Sequence, residues 1–172
     1  GYEDFRRQQA EAKARGRLLG LGISTMTEPL GAGNSREYDI LGIKMFDSAE
    51  LRVHMTGKAI LRTGAKTQGQ GHETTWAQIV ASELGVEVDD IEVLHGDTAV
   101  SQLGMDTYGS RSLAVGGMAL WHASQKVVAK AKAIVAHQLE VSEDDLEFAN
   151  GTFSVKGSPD RGKTFAEVSL AA

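Results

Sequence analysis

The stretch Thr67-Gln68-Gly69-Gln70-Gly71-His72-Glu73-Thr74-Thr75 decides how the chain around it folds. Just upstream, Leu51, Val53 and Met55 alternate with Arg52 and His54, and Thr56-Gly57-Lys58 makes a turn. Residues 59–63 then run apolar again, so the segment reads as a β-hairpin. Downstream, Trp76, Ile79, Val80 and Leu84 share one helical face, and Gly85 is a suitable stop. The quoted stretch is therefore a glycine-alternating loop that leads from a strand into a helix. The first turn of a helix carries N–H groups without intrahelical partners and a partial positive charge. Flexible glycines in front let a ligand sit directly on those groups. Gln68 and Gln70 add neutral amides that both donate and accept, which suits a polyfunctional heterocycle better than a bare phosphate.

A second loop of the same kind lies further on. Residues 91–94 read as a strand, and a long helix spans 110–139 with an apolar stripe at Val127, Val128, Ala131, Ile134, Val135 and Leu139. Ahead of that helix stands Thr107-Tyr108-Gly109-Ser110-Arg111-Ser112. Hydroxyls, backbone N–H groups and one arginine fork gathered at a helix start are the means of holding a diphosphate. Gly116 and Gly117 leave the first turns of the helix bare for a close neighbour. Two such loops suit one extended ligand with a heterocycle at one end and phosphates further along; either loop alone reads first as a tight structural turn, and only the pair brings the ligand reading level with it. His72 lacks the second histidine that a helical zinc site needs. Gly31-Ala32-Gly33 lacks the third glycine of a dinucleotide-binding turn and reads as a loop. His54, His95, His122 and His137 read as surface or interface residues, and Lys126, Lys130 and Lys132 as the wet face of the long helix.

Towards the start, residues 2–15 read as a polar surface helix, which sets 1–16 apart from a domain over 17–172. Leu19, Leu21 and Ile23 alternate with Gly20, Gly22 and Ser24 as a strand with one bare face, against which something must pack. Towards the end, Asn150-Gly151 between two short apolar runs predicts a two-residue hairpin turn, and Thr164 with Glu167 predicts a capping box opening a last helix. The sum is an α+β fold: a mixed β-sheet packed with two main helices.

Composition narrows the function. A net charge of -5 argues against a sequence-independent grip on nucleic acid. No apolar run is long enough to span a bilayer, and residues 1–17 are charged rather than signal-like. The 172 residues contain no cysteine, so disulfides, thiolate metal sites and iron–sulfur ligation are absent from this segment, and a cytoplasmic setting is expected. Glycine counts 20 against 2 prolines and gathers in the loops rather than spreading as a linker.

The wording of the two loops is more specific than their physics. Gln68-Gly69-Gln70-Gly71-His72-Glu73-Thr74-Thr75, followed by Ala77-Gln78-Ile79 and Glu83-Leu84-Gly85, resembles the molybdenum-binding large subunit of aerobic carbon monoxide dehydrogenases, within the xanthine dehydrogenase family of molybdenum hydroxylases. Asp89-Asp90-Ile91, Gly96-Asp97-Thr98, Thr107-Tyr108-Gly109-Ser110-Arg111-Ser112, and Leu139-Glu140-Val141 ahead of Asp144-Asp145-Leu146-Glu147 resemble the same family in the same order. The resemblance implies an internal segment of a longer oxidoreductase subunit, catalytically incomplete alone, that holds molybdenum on molybdopterin cytosine dinucleotide. It implies contact of Gln68, Gly69, Gln70, Gly71 and His72 with the pterin end. It places Thr107, Tyr108, Gly109, Ser110, Arg111 and Ser112 along the pyrophosphate and nucleotide. It also implies hydroxylation with oxygen from water, and iron–sulfur and flavin subunits as partners. Separately, surface such as the bare Gly20 and Gly22 face predicts burial by self-association, so a homo-oligomer is expected. The alternative is a non-catalytic nucleotide-binding or assembly module derived from the family. In the family the substrate-selecting loop lies upstream and the general-base glutamate downstream of the segment matched here. Asp106 departs from the family pattern by placing a carboxylate where a small neutral residue meets the diphosphate.

Overall fold

In the computed structural model, residues 1–27, 31, 39–40 and 43–172 are described. Helix α1 (Tyr2–Ala14) is polar and buries only Ala12. Strands β1 (Asp39–Ile40) and β2 (Ile43–Lys44) form a short antiparallel pair. Strands β3 (Ala49–Val53) and β4 (Ala59–Thr63) form the expected hairpin, with Leu51 opposite Leu61. Helix α2 (His72–Leu84) then carries the chain over to β5 (Ile91–Leu94), which lies parallel to β4 with Val93 beside Leu61. The resulting three-stranded sheet is mixed, in the order β3-β4-β5.

A π-turn over Ser112–Gly117 opens helix α3 (Met118–Leu139). The α2 face carrying Trp76, Ala77, Val80, Ala81 and Leu84 is buried together with Leu120, Ala131, Val135 and Ala136 of α3 and with Ala59 and Leu61 of β4. This is the α+β arrangement the patterning implied, a mixed sheet with two main helices on it. A second sheet, β6 (Leu146–Ala149), β7 (Thr152–Val155) and β8 (Ser158–Thr164), is antiparallel throughout. Phe148 and Phe153 stack across β6 and β7 with centroids 4.3 Å apart. Asn150 (φ 48°) and Gly151 (φ 73°) form the left-handed pair that a tight hairpin turn requires. The capping box is present, with Thr164 and Glu167 satisfying each other's backbone N–H at the start of α4 (Phe165–Ala171).

One expectation of the fold needs correcting, and one strand carries no sign in the sequence. Residues 18–27 form no strand. Leu18 and Ile23 are 86% and 78% exposed, and a side chain at Gly20 or Gly22 would meet no atom within 4 Å. Alternation alone makes no strand where no neighbouring edge takes up the backbone N–H and C=O groups. Conversely, β8 reads as Ser-Pro-Asp-Arg-Gly-Lys-Thr and carries no apolar alternation; it pairs because the β6–β7 hairpin offers an edge, and its proline sits on the outer strand. Of the loop expected at Gly31-Ala32-Gly33, Ala32 and Gly33 lie outside the described residues.

The end of α2 meets the β6–β7 turn at a glycine contact. Gly85 ends α2 with φ 65°, and a Cβ there would stand 1.9 Å from the backbone nitrogen of Gly151. Gly85→Ala therefore combines left-handed strain with a backbone clash and should cost about 2–4 kcal/mol. Gly157→Ala, also left-handed at φ 76° but with open space around it, should cost only about 1–2 kcal/mol. Denaturant unfolding of both variants checks the ordering; equal losses would show that the end of α2 does not close on the β6–β7 turn at Gly85.

Candidate functional site

The loop before α2 is shaped by its own side chains. Gly69 (φ 101°) and Gly71 (φ 74°) are left-handed, and a Cβ on either would meet nothing within 4 Å. Their requirement is conformational, and the space above them is open. The Gln70 carboxamide oxygen accepts from the Gln68 backbone N–H at 2.5 Å. Thr67 Oγ1 accepts from His72 N–H at 3.4 Å. The Glu73 carboxylate is held below its ordinary value of 4.5, first by the Glu73 backbone N–H and then by His95. Two N–H groups of the first turn are thus already partnered. The negative charge that the helix dipole favours comes from Glu73 itself. What the loop presents is neutral: the exposed Gln68, Gly69 and Gln70.

Behind the loop, the His72 ring packs on Trp76 with centroids 4.8 Å apart, and His95 meets Trp76 edge-on at 5.9 Å. His95 Nε2 lies 3.0 Å from Glu73 Oε1, joining the end of β5 to the start of α2. His72 Nδ1 is buried with no protein partner. His95 is thus not a surface histidine but part of the support under the first loop.

The loop before α3 lies against the first. Gln68 Nε2 donates to Thr107 O at 3.1 Å, and Lys66 N–H donates to Asp106 Oδ1 at 3.0 Å. The carboxylate of Asp106 (φ 63°) is thus spent on the first loop, with Lys66 Nζ 4.0 Å away to offset its charge. Ser112 Oγ donates to Thr107 Oγ1 at 2.8 Å. Gly109 (φ 54°) has open space where a Cβ would be, and Ser110 (φ 56°) is exposed beside it. Tyr108 is 43% exposed, with its hydroxyl donating to Met45 Sδ at 3.4 Å.

Arg111 stands elsewhere than the pattern suggested. Its side chain is 0% exposed and points inward, donating to Asp47 Oδ2 at 2.8 Å and Phe46 O at 2.6 Å. It also donates to Asp106 O and lies 5.3 Å from the Tyr108 ring centroid. The expected fork onto a diphosphate is thus a fork onto the protein's own interior. Gly116 and Gly117 serve the fold as well: Cβ atoms there would meet Ala65 at 3.7 Å and Leu113 at 3.2 Å. Asp47 escaped the sequence reading because it is 64 residues from Arg111 in a stretch without a motif. Burial pushes its carboxyl up, against the lowering effects of the Ser48 N–H and of Arg111.

These two joined loops can be set beside known proteins. Residues 1–172 match the family model of the molybdopterin cofactor-binding domain. The chain belongs to that family. It is 50% identical to the carbon monoxide dehydrogenase large chain of Afipia carboxidovorans, over 100% of this chain and 22% of that one. The solved Cu,Mo-CO dehydrogenase in its carbon monoxide reduced state superposes with a TM-score of 0.86 at 50% identity, over 99% of this chain and 22% of that one. Quinoline 2-oxidoreductase from Pseudomonas putida 86 superposes with a TM-score of 0.83 at 39% identity, over 98% of this chain and 22% of that one. The domain therefore spans about a fifth of the length of the relatives it matches. Among its described residues no helix is long and apolar enough to cross a membrane.

Glu73 gives this site a measurable pH signature. Its folded-state pKa lies below the ordinary 4.5, so its ionised form stabilises the domain above that value, and the contribution is lost as pH falls through the lowered pKa. Glu73→Gln removes that linkage. The melting temperature of the variant should decline less on acidification than that of the parent sequence, and parallel declines would show that Glu73 is not held by the helix start and His95.

Proposed function

We propose that the domain holds molybdopterin, in its cytosine dinucleotide form, within a larger molybdenum hydroxylase. The observation that carries the reading is the bond from Gln68 Nε2 to Thr107 O, which makes two helix-start loops into one continuous surface. A ligand with two chemically different ends needs such a surface. The first loop offers neutral amides and a partnered helix start, which suit a pterin ring. The second offers the hydroxyls of Thr107 and Ser110 with the backbone of Tyr108 and Gly109, which suit a pyrophosphate and nucleotide, while the buried Ser112 holds Thr107 from below. Open space at Gly69, Gly71 and Gly109, where any side chain would stand in the way of a guest, fits a close-lying group.

In this reading Gln68, Gly69, Gln70, Gly71 and His72 contact the pterin end, and residues 107–112 line the phosphates, with Arg111 acting from beneath. When bound, the molybdenum centre supplies hydroxylation with oxygen taken from water. The chain's own residues bind and orient: the Gln68 carboxamide fixes the spacing of the two loops, and Lys66 keeps the Asp106 charge turned away from the phosphates. Relatives named for carbon monoxide and for quinoline share this domain's fold. That supports a domain holding what such enzymes have in common, with substrate choice made elsewhere in the subunit. Iron–sulfur and flavin subunits, and a second copy of the parent subunit, are the partners the reading implies.

The full-length protein, produced with molybdate available, should contain molybdenum and release a pterin and cytidine monophosphate on acid hydrolysis. Gln68→Ala removes one neutral hydrogen bond worth about 1–1.5 kcal/mol and should lower cofactor affinity roughly 5- to 12-fold without unfolding the protein. A well-folded full-length protein free of both metal and pterin would overturn the proposal.

A further inference from the structure

The Asp47–Arg111 pair lies wholly beneath the second loop, with both side chains 0% exposed. We propose that this pair is a positioning device which holds residues 106–112 in the shape that receives the phosphate end of the cofactor; the inference rests on the function proposed above. Neither side chain touches the guest, so both are positioning residues rather than binding ones.

Three observations carry it. First, Arg111 closes the loop on itself. Its guanidinium donates to the carbonyl of Asp106, the residue at which the loop begins, while its own backbone stands where the helix begins. Between these ends, Gly109 (φ 54°) and Ser110 (φ 56°), with Asp106 (φ 63°) at the start, are all left-handed. Non-glycine residues persist in that region only where their surroundings hold them.

Second, the space around Asp47 is built for a carboxylate. A Cβ on Gly104 would stand 2.2 Å from Asp47 Oδ1, and one on Gly64 would stand 2.8 Å from it. The backbones of Gly64 and Gly104 also touch each other, a would-be Cβ on Gly64 lying 2.6 Å from Gly104 Cα. Two glycines at the ends of different loops thus make room for one oxygen atom. Asp47 accepts from Ser48 N–H at 3.1 Å, and Phe46 O accepts from Arg111 at 2.6 Å, so the segment 46–48 serves as the anvil against which the loop is pressed.

Third, the pair's chemistry is poorly suited to plain stability. Burying two charges costs most of what their attraction returns, and apolar replacements of similar volume often fold as well. A fork of fixed geometry is, however, a good way to fix three acceptors relative to one another. The outer side of the same loop, carrying Tyr108 and Ser110, is exposed.

The test uses the full-length protein with two variants. Asp47→Asn/Arg111→Met removes both charges and keeps approximate shape; Arg111→Lys keeps the charge but cannot reach all three acceptors together. Three quantities are read: melting temperature, hydrogen exchange of residues 106–112 against β3–β5, and molybdenum and cytidine nucleotide bound per folded protein. Both variants should melt near the parent, exchange the loop amides at least about 10-fold faster, and hold cofactor about 10- to 100-fold more weakly, as when supporting partners of other bound groups are removed. Folded variants that keep the cofactor overturn the proposal, and so does collapse of the fold in both, which would make the pair a folding element only. A parent protein without pterin refutes the proposed function instead; the exchange comparison then decides the role of the pair, and unchanged exchange overturns it.

Discussion

The parallel pairing of β4 with β5 is the constraint from which the site follows. Two parallel strands leave the sheet at the same edge, so the segments that succeed them must start side by side. With Leu61 beside Val93 and Arg62 beside Leu94, the segment after Thr63 and the segment after Leu94 both emerge at that edge. Each then runs to a helix start, at His72 and at Ser112. An antiparallel β5 would have sent its loop to the far end of the sheet, and Gln68 could not reach Thr107. The helix α2 that links the two strands is thus as much a part of the site as the loops are, since a parallel connection requires such a crossover.

Hydrogen bonds and glycine contacts then convert adjacency into a single surface. Lys66 to Asp106 and Gln68 to Thr107 tie the loops where they emerge, and the touching backbones of Gly64 and Gly104 set their closest approach. Below, Glu73, His95 and Trp76 brace the first loop against β5. The second is braced by Arg111 and Asp47 against 46–48. Both loops are therefore soft-looking in composition and firmly held in structure.

Much of this was legible in the chain and some of it was not, for physical reasons. Local signals came through: the β3–β4 hairpin, the Gly85 stop, the Asn150-Gly151 turn and the Thr164–Glu167 box each depend on neighbours within a few residues. The two loops were legible as helix starts because glycine and amide patterns are local too. The strand expected at 19–23 failed because a strand is a property of a pair, and alternation says nothing about whether a partner edge exists. β8 was missed for the mirror reason: its partner edge exists, and its own residues give no sign of it. The direction of Arg111 could not be read because its anion, Asp47, is distant in sequence. Asp47 leaves a trace in the glycines at 64 and 104, which make room for its carboxylate oxygen.

If the surface holds the cofactor as proposed, that inward arginine sets how it discriminates. An arginine aimed at solvent attracts any phosphate, since its charge acts at a distance and its donors accept many geometries. With the guanidinium buried on Asp47, the charge is cancelled within the domain, and the outer face of the loop is left with hydroxyls and backbone dipoles. Such groups act only at contact, so affinity then depends on whether a guest matches the fixed shape from Thr107 to Ser112. The loop before α2 follows the same logic, with Glu73 satisfying its own helix start and leaving neutral amides outermost. Under the proposed function, a surface that keeps its charges for its own architecture would pass over small free anions and answer to a long molecule able to touch both loops at once.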